Sequence, residues 1–373
     1  MSKNMTFKTL PLTKSNSKEW DDFCEKSPSA WFWHTSNFID YILHYQPQRN
    51  TRDLSFFVRS GDGLIKAIVP LTIEDCEFDG KKASEFLFGG QPLPLPVFSE
   101  DLYTEVNREK REKLLMFILS EIDNLAKIHK VARITLRNCV LASAAAENSK
   151  QFNSLFNFGF INISLKTQVI DLKKSEDELS VDLRRNHTRN IKKGNEHDFK
   201  LVVYTSENIN HEVFLAYKTT HKKAAGRQTR PDYTFDLMYE WITKDRAFLA
   251  VVLMKEKQIG FEYYSVYKNR AVGFSAANDP AYEHLPIRHF LEWNAMIWMK
   301  KQGIEVYEIG LQQYGPLLYD IPDEKLLTIS HFKKGFGGFA TELLIGEKFY
   351  DREYFLHIYN ERIKKYAKAI WQN

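Results

Sequence analysis

Apolar and polar positions along the chain fall into one order that occurs twice. In the first half, FFVRSGDGLIKAIVPLTIE (56–74) sets two apolar runs around a Gly-Asp-Gly turn, which predicts a β-hairpin. From about 108 to 130, Leu114, Leu115, Ile118, Ile122, Leu125 and Ile128 recur at the spacing of a helix face. The run ARITLRN (132–138) then reads as a short strand. In the second half, FLAVVLMKEKQIGFEYYSVYKNRAVGFSAAN (248–278) divides into three strands joined by tight polar turns. A helix is predicted over 286–302, followed by the strand VYEIGLQ (306–312).

Hairpin, helix and closing strand thus appear in both halves without matching residue for residue, which predicts an architectural repeat. A chain of 373 residues suits two domains. The polar, charge-rich stretch 165–180 suits a junction, so the expected division is 1–165 and 166–373. Helices without strands are expected over 208–225 and 232–244. The segment 351–372 is amphipathic, with Phe355, Tyr359, Ile363, Tyr366 and Ile370 on one face, and is expected to dock as a terminal helix. The fold class that follows is α+β, each domain a twisted mixed sheet flanked by helices.

Composition removes several function classes. At 43% hydrophobic and 14% aromatic residues there is ample material for buried cores, and a net charge of +4 is too modest for a general nucleic-acid coat. Cys24, Cys76 and Cys139 are too far apart in sequence for a zinc pattern or a disulfide framework. The first twenty residues lack the apolar core of a signal peptide, and the longest apolar run, AFLAVVLM (247–254), is too short for a bilayer span. A soluble, cytoplasmic protein without a transmembrane segment is expected. No GxxxxGK[ST], HExxH or GxSxG motif occurs, and GFGG (335–338) lacks dinucleotide-loop spacing. Chemistry that needs only positioned substrates and polarising groups gains by elimination.

Two basic clusters contain no acid. LRRNHTRNIKKG (183–194) carries Arg184, Arg185, Arg189, Lys192 and Lys193, and as a helix it places Arg185, Arg189 and Lys192 on one face. YKTTHKKAAGRQTR (217–230) adds Lys218, Lys222, Lys223, Arg227 and Arg230. Such runs are often solvated helix faces, but arginine also binds phosphate oxygens bidentately. Two of them in a chain of this charge point to an anionic partner. In SAANDPAYEHLPIRHFLEW (275–293) the chain turns through Asn278 and Asp279 into a helix whose start attracts anions. Arg288 and His289 add positive potential there. Asn278 and Asp279 can equally serve as helix caps, and His284 and His289 lack carboxylates at metal-ligand spacing.

Glu262 sits in the strand IGFEYYSVY, where alternation groups it with Tyr264 and Val266. An acid in such an apolar strand is costly unless paired, which makes Glu262 either half of a buried ion pair or a candidate base. Finally, ISHFKKGFGG (329–338) frames two lysines with aromatics and follows them with three glycines.

The ordered set LRRNHTRNIKKG, HKKAAGRQTR, QIGFEYYSVY, HLPIRHFLEWNAMIWMKKQGIEVYEIG and ISHFKKGFGG resembles the Fem-like branch of the GNAT acyltransferase superfamily. The resemblance covers roughly 180–340 and extends weakly to SAWFWHTSNFIDYI (29–42). It implies two tandem GNAT-like domains, the first degenerate, and transfer of an acyl or aminoacyl group to an amine. The donor would be acyl-CoA or aminoacyl-tRNA, used as substrate, with no permanently bound cofactor and no metal. The acceptor would be an amine on a phosphate-bearing small molecule, such as a nucleotide- or lipid-linked sugar or peptide precursor of the cell envelope. CoA-dependent relatives carry R/QxxGxG/A at the helix start where this chain reads YEHLPIRHF, while its charge is low for a tRNA binder. The donor therefore stays open.

The resemblance also places Phe332 and Lys333 near the reaction centre, where an ammonium could stabilise the oxyanion formed as the amine attacks. In this reading FKKGFGG runs as an extended cleft wall opposite the helix near Pro286. Phe332 and Phe336 pack beneath Lys333, Lys334 points away, and the glycines, Gly337 among them, let backbone approach substrate. Glu262 would accept the amine proton directly or through water, and Tyr314 or Tyr319 would supply the leaving group's proton. No nucleophile motif supports a covalent route. A binding protein without catalysis, holding an anionic glycan or RNA in the basic grooves, is the alternative.

Overall fold

A computed structural model of the chain describes residues 6–145 and 152–371. It divides into two compact units. The first comprises 1–165, 315–321 and 342–373, and the second 166–314 and 322–341.

The second unit is built on a seven-stranded mixed sheet. Its order is Phe199–Tyr204, Ala247–Met254, Lys257–Tyr267, Arg270–Asn278, Val306–Gln312, Leu165–Asp171 and Phe339–Leu343. The three central hairpin strands are those expected from 248–278. Two-residue turns join them, Lys255-Glu256 and Lys268-Asn269, with all four residues at positive φ. That conformation matches the right-handed twist of the flanking strands and keeps the hairpins tight. From Arg270–Asn278 the chain crosses through the helix Ile287–Lys301 and returns as Val306–Gln312, parallel to the strand it left. Ile287, Leu291, Ala295 and Met299 bury one face of that helix on Phe248, Tyr264 and Tyr307. Removing this apolar surface from water stabilises the unit at roughly 25 cal/mol per Å².

The first unit holds a four-stranded antiparallel sheet and a seven-stranded mixed one. The Gly-Asp-Gly turn does join a hairpin, Phe56–Ser60 with Ile65–Val69. The hairpin that echoes the second unit is the next one along the chain, Thr72–Phe78 with Lys81–Phe86. It leads through the helix Arg108–His129 to Val131–Arg137, which pairs parallel with Lys81–Phe86. The architectural repeat therefore has the order expected, with its first hairpin one unit later than the sequence suggested. The alternating acids and lysines of EDCEFDGKKASEF had hidden that hairpin.

Two boundary expectations need correction. The stretch 165–180 is no loose junction: it contains the strand Leu165–Asp171 and, from Glu176, a helix opened by a Ser175–Glu178 capping box. Residues 342–373, expected with the second domain, group with the first. The strand Ile345–Phe349 pairs with Val131–Arg137, and the helix Arg352–Trp371 is tied down by buried acids. Glu347 receives Arg362 and Tyr359, Glu85 receives Tyr354, and Arg133 bridges both carboxylates. These contacts are reinforced by Tyr354, Phe355 and Tyr359, which pack against Phe349, so the helix docks from Tyr354 to Arg362 as its aromatic face predicts. Ile363 and Ile370, expected to pack, are 53% and 37% exposed.

Candidate functional site

A cavity of about 590 Å³ lies wholly within the second unit, where two strands part. Arg270–Asn278 and Val306–Gln312 pair only from Arg270 to Val272 against Val306 to Glu308. Beyond that point Gly273, Ser275 and Ala276 form one wall and Ile309 part of another. Glu262 enters from the neighbouring strand, Arg288, His289 and Glu292 from the first turns of the helix Ile287–Lys301, and Phe332 and Lys333 from the helix Glu324–Lys334.

Glu262 belongs to a buried polar cluster. Tyr264 donates its hydroxyl to Glu262 at 2.8 Å, as strand alternation predicts. Arg288 Nη2 lies 2.7 Å from Glu262 Oε2 and 3.2 Å from Glu292 Oε2. Tyr307 donates to the other oxygen of Glu292. Burial, reinforced by the neighbouring Glu262, holds the Glu292 carboxyl well above the usual carboxylate range. Glu292 thus keeps a proton where an exposed glutamate has lost it, and the cluster sets one carboxylate against one guanidinium. Glu292 escaped the sequence reading, although its i, i+4 spacing from Arg288 was a usable signal.

This arrangement has a pH consequence. Between the ordinary carboxylate pKa and the raised one, the unfolded chain ionises Glu292 while the native protein does not, so stability falls as pH rises. Glu292→Gln removes that term while its amide oxygen still accepts from Tyr307. The variant should gain on the wild type by up to about 1.4 kcal/mol per pH unit over this window. Urea midpoints at about pH 5 and about pH 7 measure it, and a constant difference would refute the assignment.

Lys333 reaches the same cavity from the opposite side. Its Nζ passes over Gly310, where a Cβ would stand 2.7 Å away and where φ is +116°. Only glycine gives both that backbone and that clearance. No carboxylate among the described residues lies within ion-pair distance of Lys333. Burial pushes its pKa down, and Glu292, Glu262 and Glu308 pull it partly back. The result is a largely desolvated ammonium that shares the cavity with the Glu262–Arg288–Glu292 cluster.

Lys333, Glu262, Asn278, Arg288, His289 and Phe332 of the expected set therefore share one cavity. The others do not line it. Tyr314 is 58% exposed. Tyr319 belongs to the first unit and donates to the Ser164 carbonyl. Asp279 pairs with Lys223 at 2.6 Å and caps the turn that follows. Lys218 likewise pairs with Asp232 at 2.9 Å, so the second basic cluster is acid-free in sequence but not in space. Arg230 stacks against Phe235 and Phe274 with Nη2 3.4 Å from Ser275 Oγ, touching the cavity wall. Arg185, Arg189 and Lys192 are exposed on one face of the helix Arg185–Glu196, and Arg227 is exposed. Arg184 caps that helix and donates to the His331 carbonyl.

FKKGFGG is not an extended wall. Phe332, Lys333 and Lys334 form the last turn of the helix Glu324–Lys334, so successive residues diverge by a helical step instead of alternating. Phe336 is fully buried against Phe332, with ring centroids 5.2 Å apart. Gly337 lies against Asp182, away from the cavity. The glycines admit protein backbone and side chains, not substrate.

Residues 182–318 match the family model described as an acetyltransferase (GNAT) domain. The matched segment falls within the second unit apart from 315–318. Phe332 and Lys333 lie beyond the matched segment but inside the same unit. At the level of the whole chain, the crystal structure of FemX gives a TM-score of 0.64 at 11% identity, covering 94% of this chain and 100% of that one. The structure of L-PGS from Bacillus licheniformis gives 0.57 at 12% identity, covering 93% and 96%. These are likenesses of fold alone. No curated protein sequence matches the chain. Among the described residues no helix is long and apolar enough to cross a membrane, and no group of three or more His, Cys, Asp or Glu could hold a metal ion.

Proposed function

We propose that the GNAT domain transfers an acyl or aminoacyl group from a CoA thioester or aminoacyl-tRNA to an amine. The observation that carries this reading is the desolvated Lys333 ammonium facing the Glu262–Arg288–Glu292 cluster across one cavity. The amine nitrogen attacks the carbonyl carbon, a C–N bond forms, and the carbonyl electron pair moves onto oxygen beside Lys333. Collapse of the tetrahedral adduct breaks the C–S or C–O bond. The amine's proton passes to Glu262, directly or through water, and the carboxyl pair returns a proton to the leaving sulfur or oxygen. The Glu262–Glu292 pair takes the acid role that the sequence leads one to expect of Tyr314 or Tyr319, because neither tyrosine lines the cavity. The acceptor we favour is an amine on a phosphate-bearing precursor, nucleotide- or lipid-linked, used in a cytoplasmic step of envelope assembly.

The test is transfer of radiolabel from acetyl-CoA and, separately, from charged tRNA onto amine acceptors, with wild type and Lys333→Ala compared. Label should move onto the amine with one donor and far more slowly with the variant. Binding of an anionic glycan or RNA with no turnover of either donor would establish the non-catalytic alternative instead.

The exposed basic face supports the phosphate on the acceptor. No carboxylate among the described residues pairs with Arg185, Arg189 or Lys192. Arg185→Ala/Arg189→Ala should weaken acceptor binding about tenfold at low ionic strength, the loss of one charge-assisted contact. The difference should shrink as salt screens the wild-type contact. Calorimetric titration at two salt concentrations measures it, and equal affinities at low salt would return these arginines to a purely solvating role.

A further inference from the structure

The end of the helix that carries Lys333 is gripped by the start of the helix Arg185–Glu196. The Arg184 backbone N–H donates to the Gly335 carbonyl at 2.9 Å, and its guanidinium donates to the His331 carbonyl at 3.3 Å. Between them His187 Nε2 lies 2.8 Å from the Phe332 carbonyl. A carbonyl can only accept, so Nε2 carries the proton and the neutral ring leaves Nδ1 bare. Nδ1 is buried with no hydrogen-bond partner, and the whole residue is 3% exposed.

The ring is fixed on every side. Phe332 and Phe336 pack against it at centroid distances of 5.4 and 4.7 Å, and His289 meets it edge to face at 4.7 Å. Gly335 closes the remaining side, where a Cβ would fall 2.1 Å from His187 Cε1. This contact explains why a glycine directly follows the lysine pair. His289 in turn adjoins Arg288 and lines the cavity. One imidazole therefore touches both helices that furnish the two halves of the site.

We propose that His187 is a positioning residue for Lys333, holding the Phe332 carbonyl and with it the last helical turn so that the ammonium stays over Gly310. The inference rests on the catalytic reading of Lys333, but its geometric content can be measured without any substrate. If His187 releases the helix end, Lys333 loses burial, the main cause of its lowered pKa, and its titration moves up toward that of an ordinary lysine. A leucine at 187 fills the space without donating, whereas glutamine can present an N–H to the same carbonyl.

The experiment is an NMR titration of ¹⁵N-lysine-labelled full-length protein, with the Lys333 signal assigned through Lys333→Arg. His187→Leu should raise the Lys333 pKa, and His187→Gln should leave it near wild type. Arg184→Ala, at a half-buried position, should shift it in the same direction by less, and it serves if the leucine variant does not fold. In the transfer assay, His187→Leu should lower kcat by about a hundredfold, the scale of a 1 Å misplacement, with donor KM within about twofold, and glutamine should restore most of it. An unchanged Lys333 titration in both His187→Leu and Arg184→Ala would overturn the proposal. So would equal loss of kcat in the leucine and glutamine variants. A responsive lysine in a protein that transfers no acyl group would uphold the positioning and refute only the acyltransferase reading.

Discussion

Lys333→Ala should lower kcat for acyl transfer by roughly a hundredfold or more, the usual scale for losing one oxyanion-stabilising donor. The size follows from the site's low polarity and the absence of a competing partner. An ammonium already paired with a carboxylate would have little field left for a developing oxyanion. Lys333 is buried enough to have its pKa depressed and has no carboxylate at ion-pair distance among the described residues. The charge of Arg288, by contrast, is engaged by Glu262 and Glu292. Folding should survive the substitution, since removing a desolvated charge that has no close partner relieves a cost. Lys334→Ala is the internal control. Lys334 is exposed over the Tyr314 ring, one helical step from Lys333, and should retain near-wild-type turnover. Steady-state assays with the donor that labels the amine decide the matter. Turnover of Lys333→Ala within about threefold of wild type would remove this lysine from the chemistry.

Why the sequence disclosed some of this and concealed the rest has physical causes. The strands over 247–278 and the helix Ile287–Lys301 are long, strongly apolar and punctuated by tight polar turns, so periodicity alone locates them. Glu262 stood out for the same reason: one acid in an apolar strand must be paired, and it is. The helix Glu324–Lys334 is hard to read from sequence because it is buried at Ser330 alone, with Leu326 and Ile329 40% and 37% exposed. Its apolar stripe is faint, and the aromatics and glycines at its end imitate a strand. Asp323, whose side chain accepts from Leu326 N–H at 2.8 Å, was the overlooked start signal. Long-range pairing is concealed for a different reason. Lys223 finds Asp279 and Arg133 finds Glu347 only through the fold, so charge clusters counted along the chain overstate the free positive potential. The C-terminal strand joins the first unit through the same kind of contact, which no local pattern announces.

Arg288→Met should destabilise the protein by about 3–5 kcal/mol at neutral pH, the cost of removing one partner from a buried ion pair. Glu262 and Glu292 have side chains only 7% and 1% exposed, and Arg288 is the cation within reach of both. Methionine replaces the aliphatic stem, so the loss isolates charge and hydrogen bonding from packing. What remains is a nearly buried carboxylate facing a protonated neighbour, and its desolvation is then uncompensated. One consequence separates this from a generic core defect. Adding Glu262→Gln should recover most of the lost stability, giving a large coupling energy in a double-mutant cycle. Urea unfolding of the four proteins supplies every term. A penalty below about 1 kcal/mol, on the scale of an exposed pair, would mean that Arg288 and Glu262 pair at the solvated surface of the site.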